Sequence, residues 1–275
     1  MSRPGLAWHR VFAVARKDSA ELLRNPGAIL PAIAMVFGSL FPAFLVAIGA
    51  PMIAGETLER SGEFAVQAQD SLTVLPEIAH LTGSALIQAF LFHQFSLLLL
   101  LVPVVGAMAL TTHAVIGEKL SKALEPLLAT PLTTVELLAA KTLTPFVFSL
   151  GLSWAAALLY VAGIFLVAEP GVWRTMLGPR SFLLFVVLGP LVALAALQLS
   201  VIVSSRAADA RSAQQLTSLL ILPITAVFVA QLMGVYVVGP TAILMGSLGC
   251  VVLNAGLLWT GVRVFDRENI LMRWK

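Results

Sequence analysis

Nucleophile, base and metal chemistry have little to work with in this chain. Gly151-Leu152-Ser153 sets a serine beside a glycine, but a serine nucleophile needs a histidine base. The four histidines, His9, His80, His93 and His113, all precede Ser153, so a base from a later segment is missing. An intramembrane hydrolase is therefore the weakest of the functional classes considered. The small residues at 151 and 153 suit close packing between helices instead. No two histidines stand at i, i+4, and Cys250 is the single cysteine. That leaves neither a metal constellation nor an intrachain disulfide. Phosphate binding by a P-loop needs a glycine-rich turn ending in Gly-Lys-Ser/Thr. None of Lys17, Lys119, Lys122, Lys141 or Lys275 follows a glycine, so ATP hydrolysis by that route is excluded for this chain.

A second group of residues is marked by where it falls. His93, Gln214 and Gln215 sit within or at the edge of long apolar runs. They are candidates for a transport pathway, His93 above all because it is titratable and well inside an apolar run. Each also has a plainer reading, an interhelical hydrogen bond. At about 100° per residue, Gln88, His93 and Gln94 point in different directions and form no single relay line.

The third group has helical spacing. In residues 117–141, Leu120, Leu124, Leu127 and Leu128 recur at i, i+4, i+7, i+8, the pattern of a short amphipathic helix, with Pro126 limiting its continuity. Thr130-Pro131 ends that piece. Thr133 or Thr134 can cap a second helix with Glu136 in its first turn. The result is a helix–turn–helix elbow held flat against the membrane. An ordinary amphipathic loop is the alternative. Residues 6–24 are patterned in the same way. Trp8, Val11, Phe12, Ala15, Ser19, Leu22 and Leu23 make an apolar stripe, and Arg10, Arg16, Lys17 and Arg24 lie mostly off it. This predicts an interfacial amphipathic helix ended by Asn25-Pro26-Gly27.

The elements that position these groups follow from composition. The chain has 275 residues, 59% hydrophobic and 11% charged, with a mean hydropathy of +0.96. Soluble domains carry about 25% charged residues, so a soluble enzyme, a disordered chain and a disulfide scaffold are excluded. A spanning helix needs about 20 apolar residues. Uncharged runs predict spans at about 28–49, 86–111, 142–168, 181–205, 213–232 and 241–262. The last two come from one uncharged run, 212–262, which at about 1.5 Å per residue is too long for a single crossing. Gly234, Gly239 and Pro240 supply its turn. The fold class is all-α, a polytopic membrane protein of six transmembrane helices.

Basic residues orient it. Arg3, Arg10, Arg16, Lys17, Arg24, Lys119, Lys122, Lys141, Arg206, Arg211, Arg263, Arg267, Arg273 and Lys275 fall on one side, and only Arg60, Arg174 and Arg180 on the other. By the positive-inside rule both termini and the elbow are cytoplasmic, in a cell inner (plasma) membrane. The first outer loop is acidic, with Glu56, Glu59, Glu63, Asp70 and Glu77. The assigned spans contain no Asp, Glu, Lys or Arg. That suits a lipid-like or amphipathic cargo better than a small ion, leaving an ion-coupled transporter or channel as the alternative.

The elbow resembles the signature of ABC-2-type permeases, the membrane subunits of one class of ATP-binding-cassette exporters. Its matching residues are Glu118, Leu124-Glu125-Pro126-Leu127-Leu128, Thr130-Pro131, Glu136-Leu137-Leu138 and Lys141. Ser204-Ser205-Arg206, Ala213-Gln214-Gln215 and the closing Phe265-Asp266-Arg267-Glu268 fit the same family. Lys122-Ala123 departs from the Gly/Arg-Thr pair common there. The resemblance implies a single domain over 1–275 that dimerises with a second permease copy or paralogue and rests on a cytoplasmic ABC ATPase subunit. Residues 113–141 would be the coupling segment. Glu118, Leu124, Glu125, Pro126, Leu127, Leu128, Thr130 and Pro131 would engage the ATPase, and the 6–24 helix, with Trp8, Phe12, Arg16 and Lys17, would be the connecting helix. ATP and Mg would be bound by the partner, with no cofactor in this chain. The expected partners are the ATPase, the second copy and membrane lipid, and no nucleic acid.

Overall fold

Prolines and glycines decide where the helices of this chain start, bend and stop. The computed structural model describes residues 16, 26–55, 58, 62–120, 134–206 and 210–264. The described residues are helical with turns and contain no strand. Six helices are long and apolar enough to cross a membrane: Ile29–Ile53, Gly83–Thr112, Thr142–Val167, Pro179–Ser204, Gln214–Leu232 and Pro240–Gly261, called spans 1 to 6. The end carrying the connections at 55–82, 168–178 and 233–239 is called distal.

Span 1 begins with Pro26, whose fixed φ suits a first helical turn. It ends at Gly55, which takes φ 66° and donates its N–H to Pro51 O, the left-handed close that glycine allows. Two stretches widen into π-helix, Leu45–Gly49 in span 1 and Leu183–Leu188 in span 4. Each is followed by one residue and then a proline, Pro51 or Pro190, where the ladder loses a donor. In span 4, Gly189 N–H reaches back to Leu184 O. In the same register Phe185 O would need the N–H that Pro190 lacks. The Trp154 indole of span 3 supplies the donor instead, Nε1 to Phe185 O at 3.1 Å.

Span 2 is the post around which the others stand. Its window is 89% buried, against 17–39% for the other five. It is also broken at mid-length: Gly83–Phe95 is α-helix, Ser96–Leu100 is 3₁₀, and Leu101–Leu120 is α-helix again. Pro103 cannot donate to Leu99 O, and the tightened turn precedes it. At 30 residues the span is about 45 Å long, well beyond the roughly 30 Å hydrocarbon core. Its distal half is sheathed by protein. Leu58, Ala68, Leu75 and Ile78 of the first distal connection and Val172 and Met176 of the second pack with Leu86, Ile87, Phe90 and Leu91. Deeper, Phe44, Phe92 and Tyr160 form a ring triad from spans 1, 2 and 3 with centroids 5.3–5.8 Å apart.

Close packing falls elsewhere than at residue 151. Space is open around Gly151, whereas a Cβ at Gly106 would meet Ser149 Cβ at 3.1 Å, and one at Gly163 would meet the Phe44 ring at 2.6 Å. Spans 2 and 3 therefore approach at Gly106, and spans 1 and 3 at Gly163. Ser153 is buried. The turn between spans 5 and 6 uses Gly234, with φ 71°, and span 6 starts at Pro240.

Candidate functional site

Around the break in span 2, side chains from the surrounding spans and from span 2 itself add hydrogen bonds to its backbone carbonyls. Ser39 of span 1 donates to Leu98 O at 3.1 Å. Tyr160 of span 3 donates to Phe92 O at 2.7 Å. Ser96 turns back to His93 O at 2.7 Å. Gln231 of span 5 and Gln94 exchange long amide-to-carbonyl contacts of 3.5 Å in both directions. Buried polar groups are obliged to find partners in this way, and here the obligation ties spans 1, 3 and 5 to one short stretch of span 2.

Span 4 contributes the charge. Helix starts at Pro179, with Gly178 as its extended N-cap, so Arg180 stands inside the span rather than in the connection before it. It is 1% exposed and is the largest fully buried side chain among the described residues. Its Nε donates to Val238 O at 2.8 Å, and its Nη1 donates to Ser96 Oγ at 2.9 Å and to His93 Nδ1 at 3.2 Å. A guanidinium has no acceptor. His93 Nδ1 must therefore accept, which places the ring proton on Nε2. Glu77, from the first distal connection, accepts the Arg180 backbone N–H at 3.0 Å and so caps the start of span 4, where the helix dipole favours an anion. Gly178 makes room for it, because a Cβ there would lie 2.7 Å from Glu77 Cδ. Gln231 Oε1 accepts from Val238 N at 2.9 Å and fixes the carbonyl-bearing turn that Arg180 grips. The knot thus joins spans 2, 4 and 5 and two distal connections. Three buried polar atoms around it have no partner: Glu77 Oε2, His93 Nε2 and Gln94 Oε1.

The polar residues of span 2 are divided among separate neighbours. Gln88 Oε1 accepts from Glu169 N at 2.8 Å, His93 meets Arg180, and Gln94 meets Gln231. A separate clamp joins spans 4 and 6, with Gln198 Nε2 donating to Asn254 Oδ1 at 2.9 Å. Gln214 is half-buried and Gln215 exposed in the Ala210–Thr217 helix. They lie at the opposite end of span 5 from Gln231 and are not brought to His93. Arg16 is exposed in a helical position, while Trp8, Phe12 and Lys17 lie outside the described residues. Glu118 is in the helix that continues span 2. Leu124, Glu125, Pro126, Leu127, Leu128, Thr130 and Pro131 lie outside the described residues. Sequence reasoning missed Arg180, Glu77 and Gln231. The available signal was the Gly178-Pro179 helix start.

Comparison with protein families settles the class of the molecule. The model of the ABC-2 family transporter proteins matches residues 12–247. The chain belongs to that family. No curated protein and no solved structure matches it. Members of the ABC-2 family usually work with an ATPase subunit. With six candidate spans, this ABC-2 family chain is a multi-pass membrane protein and a permease.

Proposed function

We propose that the protein is the membrane half of an ATP-driven exporter, moving an amphipathic or lipid-like cargo through a dimer of permease chains. The family match over 12–247 carries the reading. The distal end is then the outer face, and the termini and residues 113–141 are cytoplasmic, as the distribution of basic residues supports. The chain itself is not an ATPase. ATP and Mg bind to a cytoplasmic partner, and the elbow with Glu118, Leu124, Glu125, Leu127, Leu128, Thr130 and Pro131 receives its stroke. The 6–24 helix steadies that contact at the lipid surface. Mostly uncharged lipid-facing spans favour an apolar cargo. Arg180, buried in the distal half of the bundle, is held by Val238 O, Ser96 Oγ and His93 Nδ1 rather than placed on a relay.

The test is purification from native membranes. An ATPase subunit with a Walker motif should copurify, and the complex should hydrolyse ATP in a vanadate-sensitive manner. A chain that purifies alone and conducts ions without nucleotide would overturn the reading.

A further inference from the structure

His93 and Arg180 meet inside the polar knot, and their contact accepts only one charge state of the ring. His93 is 0% exposed and Arg180 1%. Arg180 Nη1 stands 3.2 Å from His93 Nδ1 and can only donate. A neutral ring accepts that bond. A protonated ring carries N–H on both nitrogens. It would lose the bond and set two cations side by side, away from water, where unpaired charge is costly.

No neighbouring group offsets a second positive charge. From the first distal connection, Glu77 gives one oxygen to the Arg180 N–H. Its other oxygen, Oε2, and His93 Nε2 are both buried and both without a partner, so the carboxylate does not bond the ring. Glu63, Asp70 and His80 of that connection are exposed. In the second connection Glu169 is exposed, and Arg174 lies over the Trp173 ring. Span 3 brings the Tyr160 hydroxyl, which donates to Phe92 O. Spans 1, 5 and 6 contain no Asp, Glu, His, Lys or Arg.

We propose that the His93–Arg180 contact is a proton-sensitive lock on the distal end of the bundle, which holds while His93 is neutral and weakens when acid charges the ring. Apolar contacts join the same elements, Leu97 and Leu100 with Leu184, Val238 and Ile243. A proton therefore lowers the stability of the closed bundle without parting it. Unfolding frees the ring to titrate near the ordinary imidazole value of about 6.5. Below that pH the unfolded chain binds a proton that the folded chain excludes. Stability is then level above about pH 6.5 and falls as pH falls through it. Between pH 7.5 and 5.5 the unfolding equilibrium should shift about tenfold. The lock is independent of the cargo and of the direction of transport.

The test is unfolding of the full-length chain in mild detergent at pH 7.5 and 5.5. His93→Asn puts an amide oxygen near the Nδ1 position and does not titrate, and His93→Gln is a second neutral replacement. The tenfold shift should appear in the parent chain and shrink to little or nothing in whichever of these variants folds. It should persist in His80→Asn and in Glu77→Gln. A parent chain equally stable at both pH values overturns the lock. So does a shift that survives in the His93 variants or disappears with His80 or Glu77. A second measurement needs no substitution at His93. Nitrogen NMR of the folded chain carrying 15N-histidine should show one ring still neutral at pH 5.5 with its proton on Nε2. A folded chain whose histidines are all charged at that pH, or whose neutral ring is protonated on Nδ1, overturns the lock.

Discussion

Replacing Arg180 with methionine would leave Val238 O, Ser96 Oγ and His93 Nδ1 without a buried donor. Breaking a buried charged cluster by removing one member costs on the order of 3–5 kcal/mol. Tyr160→Phe removes only the bond to Phe92 O and keeps the ring triad, a loss of about 1 kcal/mol. Thermal unfolding in detergent should rank Arg180→Met well below Tyr160→Phe, and an equal or reversed ranking would show that the knot does not hold the distal end together. Arg180 also shows where legibility stops at this scale. Charge counting placed it rightly beside a distal connection, because such counting reads only which side of a span a charge falls on. It cannot read that helix begins at Pro179 and turns the next side chain inward. Gln88, His93 and Gln94 were visible as polar residues in an apolar run, and helical geometry correctly sent them to separate partners. Those partners sit 81 or more positions away in sequence and could not be read from local pattern.

At the scale of elements, long apolar runs made the six spans plain, because a bilayer demands length and hydrophobicity together. Their ranking was hidden. Spans 1 and 2 have the same hydropathy, 2.2, yet 22% of one window and 89% of the other is buried. What separates them is polar content, since Gln88, His93, Gln94 and Ser96 need protein around them. The approach of spans 2 and 3 depends on Gly106, where Leu would collide with Ser149. Gly106→Leu should lower the unfolding midpoint by the equivalent of about 1–3 kcal/mol through overpacking, while Gly151→Leu, in open space, should change it little. The elbow carries a separate expectation. Glu125→Lys with Leu128→Asp should leave the protein inserted but uncouple ATP hydrolysis from transport in reconstituted vesicles. Intact coupling in that variant would remove the role assigned to residues 118–131.

At the scale of the whole molecule, topology is the quantity to measure. In a Cys250→Ala background, Val66→Cys, on an exposed position of the distal connection, should react with an impermeant maleimide in intact cells. Glu125→Cys should react only after permeabilisation. Reaction of both from outside would place the elbow where no cytoplasmic ATPase could reach it. Five of the spans also expose large apolar side chains, among them Phe37, Leu158, Val186, Leu222 and Val252. The sixth, span 2, is walled off. The longest of the six candidate spans is thus the one that fatty acyl chains scarcely touch. Lipids with longer or shorter tails can press on the rim helices and change their tilt, yet they have little grip on the rod at the centre. Bilayer thickness should therefore act by leaning the perimeter against a fixed axle, which makes membrane composition a lever on this transporter without any binding pocket for a lipid.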